Sequence, residues 1–270
     1  MSENLLHNSD FEINKQYWDA RVDLHMRSEF YAMEKFRRGG TSLNPTELEE
    51  LGPVDGKKLC HLQCHFGQDT LSWARLGAHV TGLDLSGEAI SKATGLAEEL
   101  GIEARFVEGN VLEASSLLGD QYDIVFTSYG TVLWLHDLSK WASQVAKLLK
   151  PGGVFYLADF HPVAWMFDEQ LEKIKYSYFN DERIVEETSG SYAEPTADLK
   201  MNCITWNHSL SEICNALINA GLKIEFLHEF GYCWYPVFGN LVSRPPAAGG
   251  FHHKDLDEKI PLMYSLKARL

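Results

Sequence analysis

From Lys58 to Thr70 the chain reads K-L-C-H-L-Q-C-H-F-G-Q-D-T, and fourteen residues further on stands Asp84. A short apolar run gives way to a loop around Gly67 and then to a helix-forming stretch, and Asp84 closes the next apolar run. That is the first half of a nucleotide-binding βαβ unit: the backbone turns beside the ligand, and the acidic residue sits where ribose hydroxyls need an acceptor. The phosphate fingerprint G-x-G-x-x-G is absent, because Gln63 and His65 occupy positions where glycines would let a pyrophosphate approach. The loop therefore suits a nucleoside that carries no diphosphate.

An alternating rhythm continues on both sides of this unit. Strand-like runs fall at 59–63, 79–84, 104–107, 122–128 and 154–158, with helical patterns at 70–76, 87–100 and 138–149 between them. The last of these helices stops at Lys150-Pro151-Gly152-Gly153, where proline and glycine end it. Strands alternating with helices imply a parallel sheet covered on both faces. After Phe160 the rhythm breaks. Residues 161–207 mix aromatics, charges and turn residues and read as an insertion. A helix over 209–220 follows, with Ser209 as N-cap and Glu212 completing a capping box. Then come a strand at 222–229, a second aromatic and proline-rich excursion at 231–259, and a terminal strand at 261–268.

At the other end, residues 14–38 carry Tyr17, Trp18, Leu24, Phe30, Tyr31 and Phe36 at helical spacing, with Asn14 as N-cap, and Asn44-Pro45 starts another helix. This N-terminal segment reads as a helix packed on the core or as a lid that turns Tyr17 and Trp18 toward a ligand. The organisation expected is a helical lid at 1–45, the first half of an α/β domain at 46–160, and its remainder at 161–270. The excursions at 161–207 and 231–259 would cap the substrate.

A chain of 270 residues is long enough to bury a full core. Its net charge of -14 opposes nonspecific contact with nucleic acid or an anionic membrane, which favours a small-molecule substrate. No run approaches the roughly 18 to 20 apolar residues of a membrane span, and the first residues lack a signal peptide's basic and apolar regions. Five cysteines without regular spacing point to reduced thiols and a cytoplasmic location. Oligomeric state is not written in the sequence.

This layout resembles the class I, Rossmann-like S-adenosylmethionine-dependent methyltransferases, in their small-molecule branch. Four landmarks over residues 55–270 carry the likeness: the loop at 61–67, Asp84, Gly109-Asn110-Val111, and Leu148-Leu149-Lys150-Pro151-Gly152-Gly153. The resemblance implies an α/β, doubly wound, mostly parallel sheet of seven strands. Its antiparallel last strand would enter between the fifth and sixth, alongside the N-terminal helical lid and the insertions. It implies S-adenosylmethionine as cofactor and S-adenosylhomocysteine as product. Asp84 would accept both ribose hydroxyls, Asn110 the adenine amine, and Leu85 and Val111 would wall the ring. Gly67 would let the backbone pass close to the ligand. His61 and Gln63 would face the amino-acid end, Gln68 would also bind the cofactor, and Tyr129 would border it. The sequence departs from the family at His61, Gln63, His65 and Asn110, where an acid, two glycines and an aspartate are usual.

Cys60, His61, Cys64 and His65 invite a metal reading, but strand alternation puts the cysteines on one face and the histidines on the other, so no metal is expected. Methyl transfer needs alignment and exclusion of water, and a hydroxyl or ammonium acceptor also needs a general base. Ligands of open α/β sheets bind beyond the C-terminal strand ends. Candidate bases there are Tyr129 and His136 after the fourth strand, and Asp159 and His161 after the fifth, with His161 first among them. His208 reads as a structural neighbour of a helix start. The leading reading is methyl transfer to oxygen or nitrogen of a small metabolite. The alternatives are a non-catalytic S-adenosylmethionine-binding protein and, behind it, a nicotinamide-dependent oxidoreductase.

Overall fold

The computed structural model describes residues 3–270, with side chains from Ser9 onward. Residues 1 and 2 of the segment expected at 1–45 lie outside the described residues. The stretch expected as one helix over 14–38 is three: α1 (Glu3–Asp19), α2 (Val22–Arg27) and α3 (Met33–Arg37). Asn14 is no cap. It sits inside α1, where its amide donates to Ile204 O at 2.8 Å and accepts from Ile204 N–H at 2.9 Å. A short polar side chain that meets a distant strand edge outweighs its local capping preference, because those backbone groups would otherwise be buried unpaired.

α4 (Pro45–Leu51) starts where Asn44-Pro45 puts it, and Glu47 closes a capping box with Asn44. β1 (Lys58–Leu62), α5 (Gln68–Arg75), β2 (His79–Asp84) and α6 (Gly87–Leu100) form the first βαβ unit and the helix after it. The Ser86 hydroxyl caps α6 by accepting from Ala89 N–H at 3.0 Å. β3 (Ala104–Glu108), α7 (Ala114–Leu118) and β4 (Tyr122–Ser128) follow. α8 (Leu138–Leu148) buries Leu138, Trp141, Ala142, Val145 and Leu148, the helical stripe that packs it onto the sheet. β5 (Leu149–Phe160) runs longer than the five residues read from its pattern.

The insertion at 161–207 contains an antiparallel hairpin that sequence periodicity did not reveal, β6 (Ile184–Ser189) paired with β7 (Lys200–Thr205). α9 (Leu210–Asn219) has Ser209 as its cap, accepting from Glu212 N–H at 3.1 Å. The Glu212 carboxylate leaves the expected capping box and turns to His208 and Asn180. After β8 (Lys223–Phe230), the excursion at 231–259 carries a small ribbon, β9 (Leu241–Ser243) with β10 (Phe251–His253). β11 (Met263–Arg269) ends the chain.

The main sheet has seven strands in the order β3-β2-β1-β4-β5-β11-β8. β1 through β5 are parallel to their neighbours, and β11 runs antiparallel between β5 and β8. The strand order reverses between β1 and β4. There the C-terminal strand ends diverge and leave the crevice in which open α/β sheets bind ligands. Strands buried on both faces read as continuous apolar runs: Ile124, Val125 and Phe126 of β4 and Phe155, Tyr156, Leu157 and Ala158 of β5 are all buried.

Candidate functional site

The loop after β1 lies against the crevice and is built from three residues in the left-handed region, Gln63 (φ 58°), His65 (φ 50°) and Gly67 (φ 76°). The first two are costly for residues with a Cβ, of order 1 kcal/mol each, so the surroundings must hold them. Gln63 donates from Nε2 to Thr131 O at 3.0 Å, while its buried Oε1 has no partner. The His65 N–H donates to Asp84 Oδ2 at 2.7 Å, and its ring Nε2 lies 2.9 Å from His25 Nδ1. Burial holds both imidazoles neutral, His25 down at about 3 and His65 well below its usual range. Gly67 is needed for a reason other than the expected approach to a ligand. A Cβ there would lie 2.7 Å from the Phe106 ring and 3.0 Å from Ala93, so the glycine lets the loop pack on β3 and α6. Gly67 does not line the cavity.

At the end of β2, Asp84 Oδ1 accepts from Ser86 N–H at 2.9 Å. Burial pushes this carboxyl up to about 6, against the pull of the Ser86 and His65 N–H groups. Each carboxylate oxygen keeps a lone pair for a further donor. Beyond β3, the Asn110 side-chain carbonyl accepts from Leu112 N–H at 2.9 Å. Asp84, Leu85, Asn110 and Val111 share one wall of a cavity of about 700 Å³. That is within the usual range for a small-molecule site.

His61, Gln63, Gln68 and Tyr129 reach the same cavity. The His61 ring is locked by Thr70 at 2.8 Å and burial holds its pKa down at about 3, so it is a neutral, pinned imidazole. Gln68 spends its amide on Tyr31 O at 2.8 Å. Tyr129 donates its hydroxyl to Glu47 Oε2 at 2.8 Å. Glu47 is fully buried, and burial pushes it up to about 8 although Asn44 N–H pulls the other way.

Two histidines expected as bases stand elsewhere. His161 is buried outside the cavity, with Nε2 2.9 Å from Glu229 Oε1 and Nδ1 accepting from Val163 N–H at 3.1 Å. His136 also lies off the cavity lining, edge-on to Phe11 at 5.3 Å. The turn out of β5 points His161 into the interior and the turn out of β4 leaves His136 half-buried beside Phe11 and Trp206, which periodicity alone does not decide. Asp159 is a clamp. It accepts from the N–H groups of Gly130, Thr131, Val132 and Phe160 and from the Thr131 hydroxyl, and so shapes the loop after β4.

Sequence reasoning missed Asp69 and Glu47. Asp69 lines the cavity and accepts from Ser42 Oγ at 2.5 Å and Ser128 Oγ at 3.0 Å. Locally it looks like one more acid in a helix's first turn. Glu47, in the first turn of the helix that Asn44-Pro45 starts, gave no sign of the Tyr129 contact its second oxygen makes. Over the top, α1, α2 and the β6–β7 hairpin roof the cavity. Tyr17, Trp18, Tyr31, Trp134 and Tyr192 all line it. Arg21 fastens this roof, with its guanidinium 3.4 Å above the Tyr17 ring and bonded to Thr188 Oγ1 and Gly190 O.

Among the described residues, no helix is long and apolar enough to cross a membrane, and no group of three His, Cys, Asp or Glu side chains could hold a metal ion. A family described as a methyltransferase domain matches residues 60–153. The chain is 24% identical over 232 residues to YbaJ, an uncharacterized methyltransferase of Bacillus subtilis, covering 80% of this chain and 89% of that one. It is 31% identical over 151 residues to the ubiquinone biosynthesis O-methyltransferase of Aeromonas salmonicida, over 52% of this chain and 63% of that one. The fold is also that of an S-adenosylmethionine-dependent methyltransferase from Mesorhizobium loti, with a TM-score of 0.57 at 17% identity over 87% of this chain and 100% of that one. These likenesses support a class I S-adenosylmethionine-dependent methyltransferase, with S-adenosylmethionine as its cofactor.

Proposed function

We propose that this enzyme moves the methyl group of S-adenosylmethionine to oxygen or nitrogen of a small metabolite held under the aromatic roof. The observation that carries the reading is one continuous cavity. It joins the Asp84–Asn110 wall, suited to a nucleoside, to the Ser128–Tyr129 turn at the crevice between β1 and β4. The residues fit the cofactor: Asp84 has spare acceptor capacity for two ribose hydroxyls, and Leu85 and Val111 offer apolar walls for the base. The unpartnered Gln63 Oε1 awaits a donor, as a buried polar atom does. Bound S-adenosylmethionine supplies a methyl group already activated by a positively charged sulfur.

The chain's own tasks are to align the acceptor, exclude water and take its proton. With His161 and His136 turned away, Tyr129 is the group for the proton. Its oxygen receives the acceptor's proton as its own passes to Glu47 Oε2 in molecules whose Glu47, raised to about 8, is ionised, so the transfer should quicken as pH rises toward that value. The Aeromonas salmonicida relative's name keeps oxygen among the acceptors.

The test is calorimetry with S-adenosylmethionine, S-adenosylhomocysteine and NAD, on the native protein and on Asp84→Ala, followed by labelled-methyl transfer to a panel of phenols and amines. Binding of the two adenosyl compounds, lost in Asp84→Ala, and transfer to one class in the panel are expected. An Asp84→Ala protein that binds as well as the native one would move the cofactor elsewhere.

A further inference from the structure

The interior of the cavity is lopsided in charge. Asp69, Asp84, Asp168, Glu169 and Glu186 line it against a single lysine, Lys35, which is itself exposed. Asp84 belongs to the nucleoside wall, and Glu186 already meets Lys175 at 2.8 Å. Asp168 and Glu169 belong to the inserted segment over the crevice. Asp69 is different. It lies beside Ser128 at the crevice, and its two oxygens meet only the hydroxyls of Ser42 and Ser128. Asp69 is half-buried, and a carboxylate partly withdrawn from water without a counter-ion is normally paired. Burial raises its pKa even though both hydroxyls pull it down. Its position near the start of α5 suits the helix dipole, but an outward-facing acid would serve that as well.

Phe30, Tyr31, Tyr129, Tyr192 and Tyr235 share the cavity lining with this carboxylate. Tyr129 and Tyr235 meet edge to face at 5.2 Å, Phe30 stacks on Tyr235 at 5.6 Å, and Tyr31 joins Tyr192 through their hydroxyls. Burial raises Tyr31, Tyr235 and Glu47, and Asp69 adds to the rise in each, behind Tyr192 and Tyr235 at Tyr31. A lining that combines carboxylates with tyrosine rings is the chemistry that receives an ammonium group. It offers nothing to a phosphate or carboxylate, which would find no guanidinium and no buried lysine on the lining.

We propose that the methyl acceptor is an amine, seated with its ammonium on Asp69 between Tyr31, Tyr129 and Tyr235. This rests on the reading above, in which the adenosyl group occupies the Asp84 wall. The second source of an ammonium is the amino-acid end of the cofactor itself, and the experiment separates the two.

Phenethylamine, phenethyl alcohol and phenylacetate, alike in shape and differing in charge, would be titrated calorimetrically into the protein with and without saturating S-adenosylhomocysteine. The same series would be run on Asp69→Asn. The amine is expected to bind at least tenfold more tightly than the alcohol and the carboxylate not at all. In Asp69→Asn the amine should fall to the alcohol's affinity, with S-adenosylhomocysteine unaffected. Phenylacetate binding as well as the amine, or no probe binding in either state, overturns the proposal without any variant. So does an Asp69→Asn protein that loses S-adenosylhomocysteine affinity while the amine is unchanged, since the ammonium would then be the cofactor's. Failure of S-adenosylhomocysteine to bind the native protein strikes the cofactor reading separately, while the amine series without it still decides the acceptor.

Discussion

The cavity has a floor and a roof, and they hold their shape by different means. The floor is the set of loops after β1, β2 and β4. There, backbone groups are pinned by buried carboxylates, His65 and Ser86 N–H by Asp84 and four N–H groups by Asp159. The roof is α1 and α2 laid on the β6–β7 hairpin. It is held by side chains that reach across long separations: Asn14 to Ile204, Asp10 to Arg183, Arg21 to Gly190 and His25 to Ser191. Roof meets floor through Asp19 at the start of α6, His25 with His65, the ion pairs Lys15–Glu108 and Asp23–Lys92, and Trp206 N–H on Leu133 O, most of them side-chain contacts. A floor of charge-assisted backbone bonds is stiff, and side-chain fastenings open more cheaply. Under the proposed function, such a division would let a preorganised wall at Asp84 coexist with a roof that opens to an acceptor.

The strongest way to break this comparison is Asp159→Ala. It leaves buried donors unpaired in the floor and should cost about 4 kcal/mol or more, read by urea unfolding. If the loss is under about 1 kcal/mol, the floor is not carried by its carboxylates. Next, Asp84→Ala should weaken S-adenosylhomocysteine by about 3 kcal/mol, roughly 100-fold, through lost charge-assisted bonds, with calorimetry as the measurement. Gly67→Ala meets both a positive φ and the Phe106 ring at 2.7 Å. We expect a loss of about 2 to 3 kcal/mol of stability, with the cofactor wall disturbed and the roof unchanged.

Asn14→Ala sharpens the contrast from the other side. It should cost about 2 kcal/mol and show first as faster amide exchange in β6 and β7, ahead of any change in β1 to β5. The mildest effect is one of pH. Burial raises the Asp84 carboxyl to about 6, and ribose hydroxyls bind its ionised form. Affinity for S-adenosylhomocysteine should therefore be flat above that value and fall by up to about tenfold per pH unit below it, a slope that Asp84→Asn would abolish.

Much of the floor was legible in the chain. Asp84 closes an apolar run, Ser86 caps the next helix, and the seven-strand rhythm with its antiparallel last member follows from periodicity and from family likeness. Less of the site was legible. Gly67 was expected to serve the ligand and instead makes room for Phe106. His161, placed correctly at the end of β5, turns to Glu229 on β8. Asp69 carried no local sign of facing the cavity, nor Glu47 of meeting Tyr129 behind it, because acids in a helix's first turn look the same wherever they point.

The sequence by itself determined the strands and helices of the seven-stranded core, their order and the carboxylate at the end of β2, since each is set by periodicity or by contacts a few residues apart. Only the tertiary structure decided which side chains share the cavity. Tyr129 meets Glu47 82 residues away, and Asn14 meets Ile204 190 residues away. Those meetings depend on how the sheet twists and how two insertions fold back over it. The free energy there comes from burying and pairing groups that no local pattern brings together.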